Sequence, residues 1–183
     1  MPKYVAFLRA INVGGRFLKM NVLAEHFRSL GHSEVQTYIN SGNVVFHSRI
    51  RRPGALAIAL EQGLEPRLGF KSEVFVRTEP ELHAIARRVL TFASEFPSMN
   101  EVNVAFLNAP LQAHQEAELL ALRSEVDTFA HHGNEIYWLC RVKQSESRFS
   151  NAVFERRLRV RTTFRRATML HGLSSLLRGG AGG

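Results

Sequence analysis

Apolar positions recur along this 183-residue chain with two periods, one of two residues and one of three to four. In residues 3–9, Tyr4, Ala6 and Leu8 fall on one side of an extended chain and Val5 and Phe7 on the other, which predicts a strand. The period then lengthens. Asn21 is placed to cap a helix that carries Leu23, Phe27 and Leu30 on one stripe and stops at Gly31. Residues 35–39 and 44–47 predict two strands joined by the turn Asn40-Ser41-Gly42-Asn43. Leu56, Leu60 and Leu64 return to helical spacing, with Gly63 and Pro66 marking that helix's expected end, and residues 73–77 predict another strand. The order is βαββαβ.

The second half repeats it. Residues 102–107 predict a strand, and residues 112–124 a helix with Gln115, Leu119 and Leu122 on one side. Strands at 128–131 and 136–140 meet at Gly133-Asn134, where glycine in the first central position suits a type II′ hairpin. Residues 148–158 predict a helix anchored by Phe149, Val153 and Phe154, and 161–164 a short strand. A last helix carries Met169, Leu170, Leu173 and Leu177. The expected class is α+β, with two tandem ferredoxin-like subdomains packed as one compact unit. The first covers 1–78. A linker over 79–99 begins as a helix through Leu82, Ile85 and Val89. The second subdomain covers 100–166, followed by a C-terminal helix over 167–178 and a flexible tail over 179–183. A plait of this kind carries its helices on one sheet face. Here Val102, Val104 and Phe106 alternate with Ala105 and Leu107, and Ile136, Trp138 and Cys140 with Tyr137 and Leu139, so both faces are apolar. Strands of that kind are covered on both sides, which predicts that the two halves, or two chains, cover each other's open faces.

Several short motifs join turns to these strands. They are Tyr4-Val5-Ala6-Phe7-Leu8-Arg9, Ile11-Asn12-Val13-Gly14-Gly15 and Thr37-Tyr38-Ile39-Asn40-Ser41-Gly42-Asn43-Val44-Val45-Phe46. Phe75-Val76-Arg77-Thr78 and the Ser150-Asn151 pair ahead of Phe154-Glu155 complete the set. Together they resemble the bacterial family known as domain of unknown function 1697, over nearly the whole chain. The resemblance implies tandem ferredoxin-like subdomains and no particular substrate, cofactor or catalytic residue. One segment departs from the family: its usual Arg-Asn-Trp-Asn-Thr is replaced, after Thr162-Thr163, by Phe164-Arg165-Arg166-Ala167-Thr168.

Charge narrows the partner class. The net charge is +8, and residues 1–140 contribute none of it, with 14 Lys/Arg against 14 Asp/Glu. Residues 141–183 hold 10 Lys/Arg against 2 Glu. A localised excess of this kind attracts anions, although it also serves solubility alone. No apolar run reaches the ~20 residues of a membrane span. The start of the chain lacks the pattern of a secretory signal, and the one cysteine, Cys140, suits a cytoplasmic protein. That cysteine alternates with Trp138 and is expected to be buried and inert.

Two regions are candidate anion sites. Arg9, Asn12, Gly14, Gly15, Arg16 and Lys19 surround a loop ahead of a helix, where backbone amides favour anions. The spacing matches neither dinucleotide nor P-loop fingerprints, and paired glycines also serve simple turns. The second region is Arg156, Arg157, Arg159, Arg161, Arg165 and Arg166, suited to bidentate phosphate contacts. Phe149 and Phe164 lie nearby but carry core spacing, and the basic-glycine-aromatic signature of an RNA-recognition module is missing. Asn40, Ser41 and Asn43 are candidates for a cleft, and turn geometry also accounts for them. The eight histidines form no ligand set and no nucleophile arrangement stands out, so neither a metal nor a cofactor is expected. Three readings stay open. The first is a protein binding nucleic acid or a phosphorylated small molecule. The second is an enzyme using Arg9, Asn12 and Asn40 in a cleft between subdomains. The third is a homo-oligomeric or partner-docking module.

Overall fold

The computed structural model describes residues 1–15, 17–39 and 41–179, so Arg16, Asn40 and residues 180–183 of the expected tail lie outside it. The class is α+β, with two four-stranded antiparallel sheets. Contacts divide the chain into two units, Met1–Leu82 and His83–Gly183.

The first unit runs β1 (Lys3–Leu8), α1 (Met20–Ser29), β2 (Ser33–Tyr38), β3 (Asn43–His47), α2 (Pro53–Leu68) and β4 (Val74–Thr78). The sheet order is β2-β3-β1-β4, with Val5 opposite both Val45 and Arg77. One face buries Tyr4, Leu8, Phe46 and Val76 against Leu23 and Phe27 of α1 and Leu56, Leu60 and Leu64 of α2. Val5, Phe7, Val45 and Phe75, which alternation assigns to the other face, are buried as well.

Two expected helix limits shift. Asn21 lies inside α1, and Lys19 occupies the cap position without a side-chain bond. Helix α2 passes through Gly63 and Pro66 and ends at Gly69 in the left-handed conformation. Pro66 brings no N–H to the Gln62 carbonyl, and the helix still continues through Arg67 and Leu68. The next residue, Arg67, donates from Nη1 to the Gly63 carbonyl at 2.7 Å.

His32 packs its ring edge-on to Phe46 at 5.0 Å, and its Nδ1 is buried without a hydrogen bond. Burial holds its pKa below the ordinary value. The unfolded chain therefore takes up a proton near pH ~6.5 that the folded chain resists, so stability is lost as pH falls through and below that value. In a His32→Phe variant, urea unfolding at pH ~7.5 and ~5.5 is expected to give a smaller stability difference than in the parent chain. An unchanged difference would show that His32 does not contribute to the acid sensitivity.

Helix α3 (Glu79–Glu95) begins in the first unit and continues into the second. There follow β5 (Glu101–Phe106), α4 (Ala113–Ala121), β6 (Asp127–His132), β7 (Glu135–Cys140), α5 (Asn151–Leu158), β8 (Thr163–Arg166) and α6 (Ala167–Gly179). The order of this sheet is β6-β7-β5-β8. Gly133, in the β6–β7 turn, has φ +59°. One face carries Ala105, Phe129, Ile136, Trp138 and Cys140 against Leu119, Phe149, Phe154 and Leu158. Phe149 and Phe164 both pack against Trp138, at 5.4 and 5.8 Å, so neither is offered for stacking.

Helices α3 and α6 lie over the opposite face of this second sheet. Phe92 of α3 meets Tyr137 at 5.0 Å, and α6 packs on β5 and β8. His83 bonds Ser174 at 2.7 Å, and His171 bonds the Ala86 carbonyl at 3.1 Å, joining the two helices. Helices α3 and α6 thus contribute cover to the face that alternation leaves open in this unit. Cys140 is fully buried, and desolvation raises its thiol pKa to about 11, as expected of an inert residue. No helix among the described residues is long and apolar enough to cross a membrane.

Candidate functional site

The glycine loop of the first unit is held by its own bonds. Asn12, at φ +59°, donates from its amide to the Leu18 carbonyl at 3.2 Å and accepts from the Leu18 N–H. The side chain thereby closes the loop on itself. Arg9 faces Glu73 at 3.4 Å, and its carbonyl accepts from Ser72 Oγ at 2.7 Å. Gly14 and Gly15 have φ +62° and +82°, and a Cβ on either would meet nothing within 4 Å. At both glycines the chain turns with open space on the side a Cβ would occupy. Lys19 is exposed. In the neighbouring turn, Asn43 is buried and donates to the Tyr38 carbonyl at 3.0 Å and to Ser41 Oγ at 2.8 Å. Gly42 lies with φ +70° against Ile11, where a Cβ would come within 3.2 Å of the Ile11 side chain. Among the described residues of these two loops, the Asn12 and Asn43 side chains are taken up in bonds that close the turns.

The C-terminal arginines do not form one patch. Arg165 faces the buried side of β8, where it donates to Thr163 Oγ1 at 2.7 Å and to the Phe164 carbonyl at 2.8 Å. Burial lowers its guanidinium pKa to about 10, which leaves it charged at neutral pH. Arg166, one residue on, points the other way and is exposed. It lines a separate cleft with Asn100, Leu90 and His171. Arg157 is ion-paired with Glu118 of α4.

Arg156, Arg159 and Arg161 do converge. They line a depression of about 480 Å³ at the end of α5, with Ala152, Glu155 and Val160. Ser150 caps the start of α5 by accepting from the Val153 N–H, and the helix ends at Arg159, which adopts φ +54° and ψ +43°. That left-handed turn brings the chain round so that Arg161 follows beside the helix end. The one carboxylate in the depression, Glu155, accepts from the Thr162 N–H at 2.9 Å and faces Arg161 at 3.7 Å. Helix-end carbonyls are also capped, that of Glu155 by the Val160 N–H and that of Leu158 by Gln115 Nε2. Positive charge thus dominates the depression. Arg156 and Arg157 additionally complement the negative end of the α5 dipole.

A second depression, of about 280 Å³, adjoins it and shares Val160 and Arg161. Its other lining comes from the β5–α4 loop and the start of α4: Leu107, Asn108, Ala109, Pro110, Gln112 and Gln115. The sequence reading gave no role to this loop. A signal for it was present, since Val104-Ala105-Phe106-Leu107 repeats Val5-Ala6-Phe7-Leu8 residue for residue. That identity aligns Asn108-Ala109-Pro110 with Arg9-Ala10-Ile11 at the entrance of the glycine loop. Among the described residues, no three His, Cys, Asp or Glu side chains converge to hold a metal ion.

No curated protein matches the chain. Among solved structures, it is similar to the conserved bacterial protein SP0830 from Streptococcus pneumoniae, with a TM-score of 0.74 and 24% identity over 97% of this chain and 99% of that one. This likeness concerns the fold. Residues 1–137 match the family described as protein of unknown function (DUF1697), a span that includes the glycine loop and ends before the converging arginines. The chain belongs to that family.

Proposed function

We propose that this protein binds a phosphate-bearing anion in the depression lined by Arg156, Arg159 and Arg161. The observation that carries the reading is that three arginines line one depression whose single carboxylate is already engaged by Arg161 and a backbone N–H. Guanidinium groups suit phosphate because their planar forks donate in pairs. The scaffold we propose is a pair of ferredoxin-like subdomains derived from one duplicated unit. Two sheets of equivalent strand order and the repeated Val-Ala-Phe-Leu at β1 and β5 support it. Its one thiol, buried and unpaired, suits the reducing cytoplasm. The family match covers residues 1–137, and the anion reading is made for this chain.

Calorimetric titration with inorganic pyrophosphate tests the site. An Arg156→Gln/Arg161→Gln variant is expected to bind at least about ten-fold more weakly, in line with the loss of two charge-assisted contacts. Binding by the parent chain is expected to weaken between about 50 and about 200 mM salt, as screening predicts. Equal binding by the variant, or none by the parent chain, would refute the assignment.

A further inference from the structure

Resting on the anion reading, we propose that the ligand is a nucleoside 5′-phosphate whose phosphates sit among Arg156, Arg159 and Arg161 and whose nucleoside lies in the adjoining depression. The two depressions differ in chemistry and meet at Val160 and Arg161. The first is cationic. The second contains no charged residue except the shared Arg161. Leu107, Pro110 and Val160 give it apolar surface, and Asn108 and Gln112 bring side-chain amides. A free phosphate or pyrophosphate uses only the first depression. A ligand that uses both carries a charged end joined to a compact, uncharged body with hydrogen-bonding edges, which is the chemistry of a nucleotide. Contiguous, the two depressions reach the size of small-molecule sites, roughly 300–1,000 Å³.

The amide chemistry is already organised. Gln115 accepts from the Gln112 N–H at 2.9 Å and donates to the Leu158 carbonyl at 2.8 Å, which fixes the start of α4 against the end of α5. The Gln112 side chain lines the second depression, where its amide offers both a donor and an acceptor to a ring edge. A polymeric nucleic acid fits less well. Single-strand readers present aromatic platforms for successive bases. In this unit, the exposed large apolar side chains among the described residues are Leu90 and Leu120, and neither is aromatic.

The experiment titrates the full chain with ADP, GDP, CDP, UDP and pyrophosphate, and with a labelled single-stranded oligonucleotide. At least one nucleoside diphosphate is expected to bind about ten-fold or more tightly than pyrophosphate, the surplus coming from the second depression. Ala109 is exposed, so Ala109→Trp fills that depression without touching the core. The variant is expected to reduce the diphosphate to the pyrophosphate level and to leave pyrophosphate unchanged. A melting curve matching that of the parent chain confirms that the variant folds. If every diphosphate binds no better than pyrophosphate, the nucleotide inference falls and the anion reading stands. If pyrophosphate also fails to bind, both fall. An oligonucleotide that binds about ten-fold more tightly than every mononucleotide would reassign the surface to nucleic acid and overturn the inference.

Discussion

A Trp138→Ala variant is expected to lose about 3–5 kcal/mol of stability, the range for removing a large buried aromatic side chain. Trp138 is fully buried and touches Phe129, Phe149 and Phe164 with ring centroids 6.4, 5.4 and 5.8 Å away. Its Nε1 donates to Asp127 Oδ1 at 2.8 Å. Asp127 is itself buried and accepts from Ser124 and Ser147 at 3.0 Å each. Truncation therefore opens a cavity and removes one donor from a buried carboxylate. At roughly 2–4 °C per kcal/mol for a chain of this size, the melting midpoint is expected to fall by about 10 °C. Trp138→Phe keeps most of the ring and loses the hydrogen bond, so its cost is expected near 1–3 kcal/mol. Because the chain has one tryptophan, urea unfolding should be followed by circular dichroism rather than fluorescence. A Trp138→Ala loss below about 1 kcal/mol would mean that this cluster does not anchor the second unit.

Arg159→Gly is expected to move stability and binding in opposite directions. Arg159 ends α5 at φ +54°, a conformation that costs a side-chain-bearing residue roughly 1–2 kcal/mol and that glycine adopts freely. The glycine variant is expected to be more stable by about 1 kcal/mol, after allowance for the greater freedom of its unfolded chain. Pyrophosphate binding is expected to weaken several-fold, since one of three guanidinium groups is gone. Arg159→Gln separates the two effects: it keeps the strain, loses the charge and weakens binding without a gain in stability. Should Arg159→Gly bind pyrophosphate as the parent chain does, this arginine lies outside the site.

What could be read in the sequence follows the range of the interactions involved. Alternation along β1 and β5 is local, and it placed both strands and their two buried faces. The Leu56-Leu60-Leu64 stripe placed α2, but its end was misjudged. Helix α2 runs on past Pro66 to Leu68 before Gly69 turns left-handed, which composition does not reveal. Alternation also separates Arg165 from Arg166. The burial of Arg165 depends on what packs over that sheet face, which alternation within one strand does not reveal. Arg157 is withdrawn by Glu118, 39 residues away in sequence, which no local pattern signals. The glycine loop looked suited to anions by composition, and no local pattern signals that the Asn12 side chain bonds Leu18 and so closes the loop. The second depression went unread because its lining joins the β5–α4 loop to residues some fifty positions later.

The Gln115 bond to the Leu158 carbonyl has a consequence for amide exchange. It joins the first turn of α4 to the last turn of α5, two helix ends that would otherwise fray independently. Deuterium uptake at residues 112–116 and 155–160 should then rise and fall as one cooperative opening. A Gln115→Ala chain should uncouple them, so that each end exchanges on its own schedule.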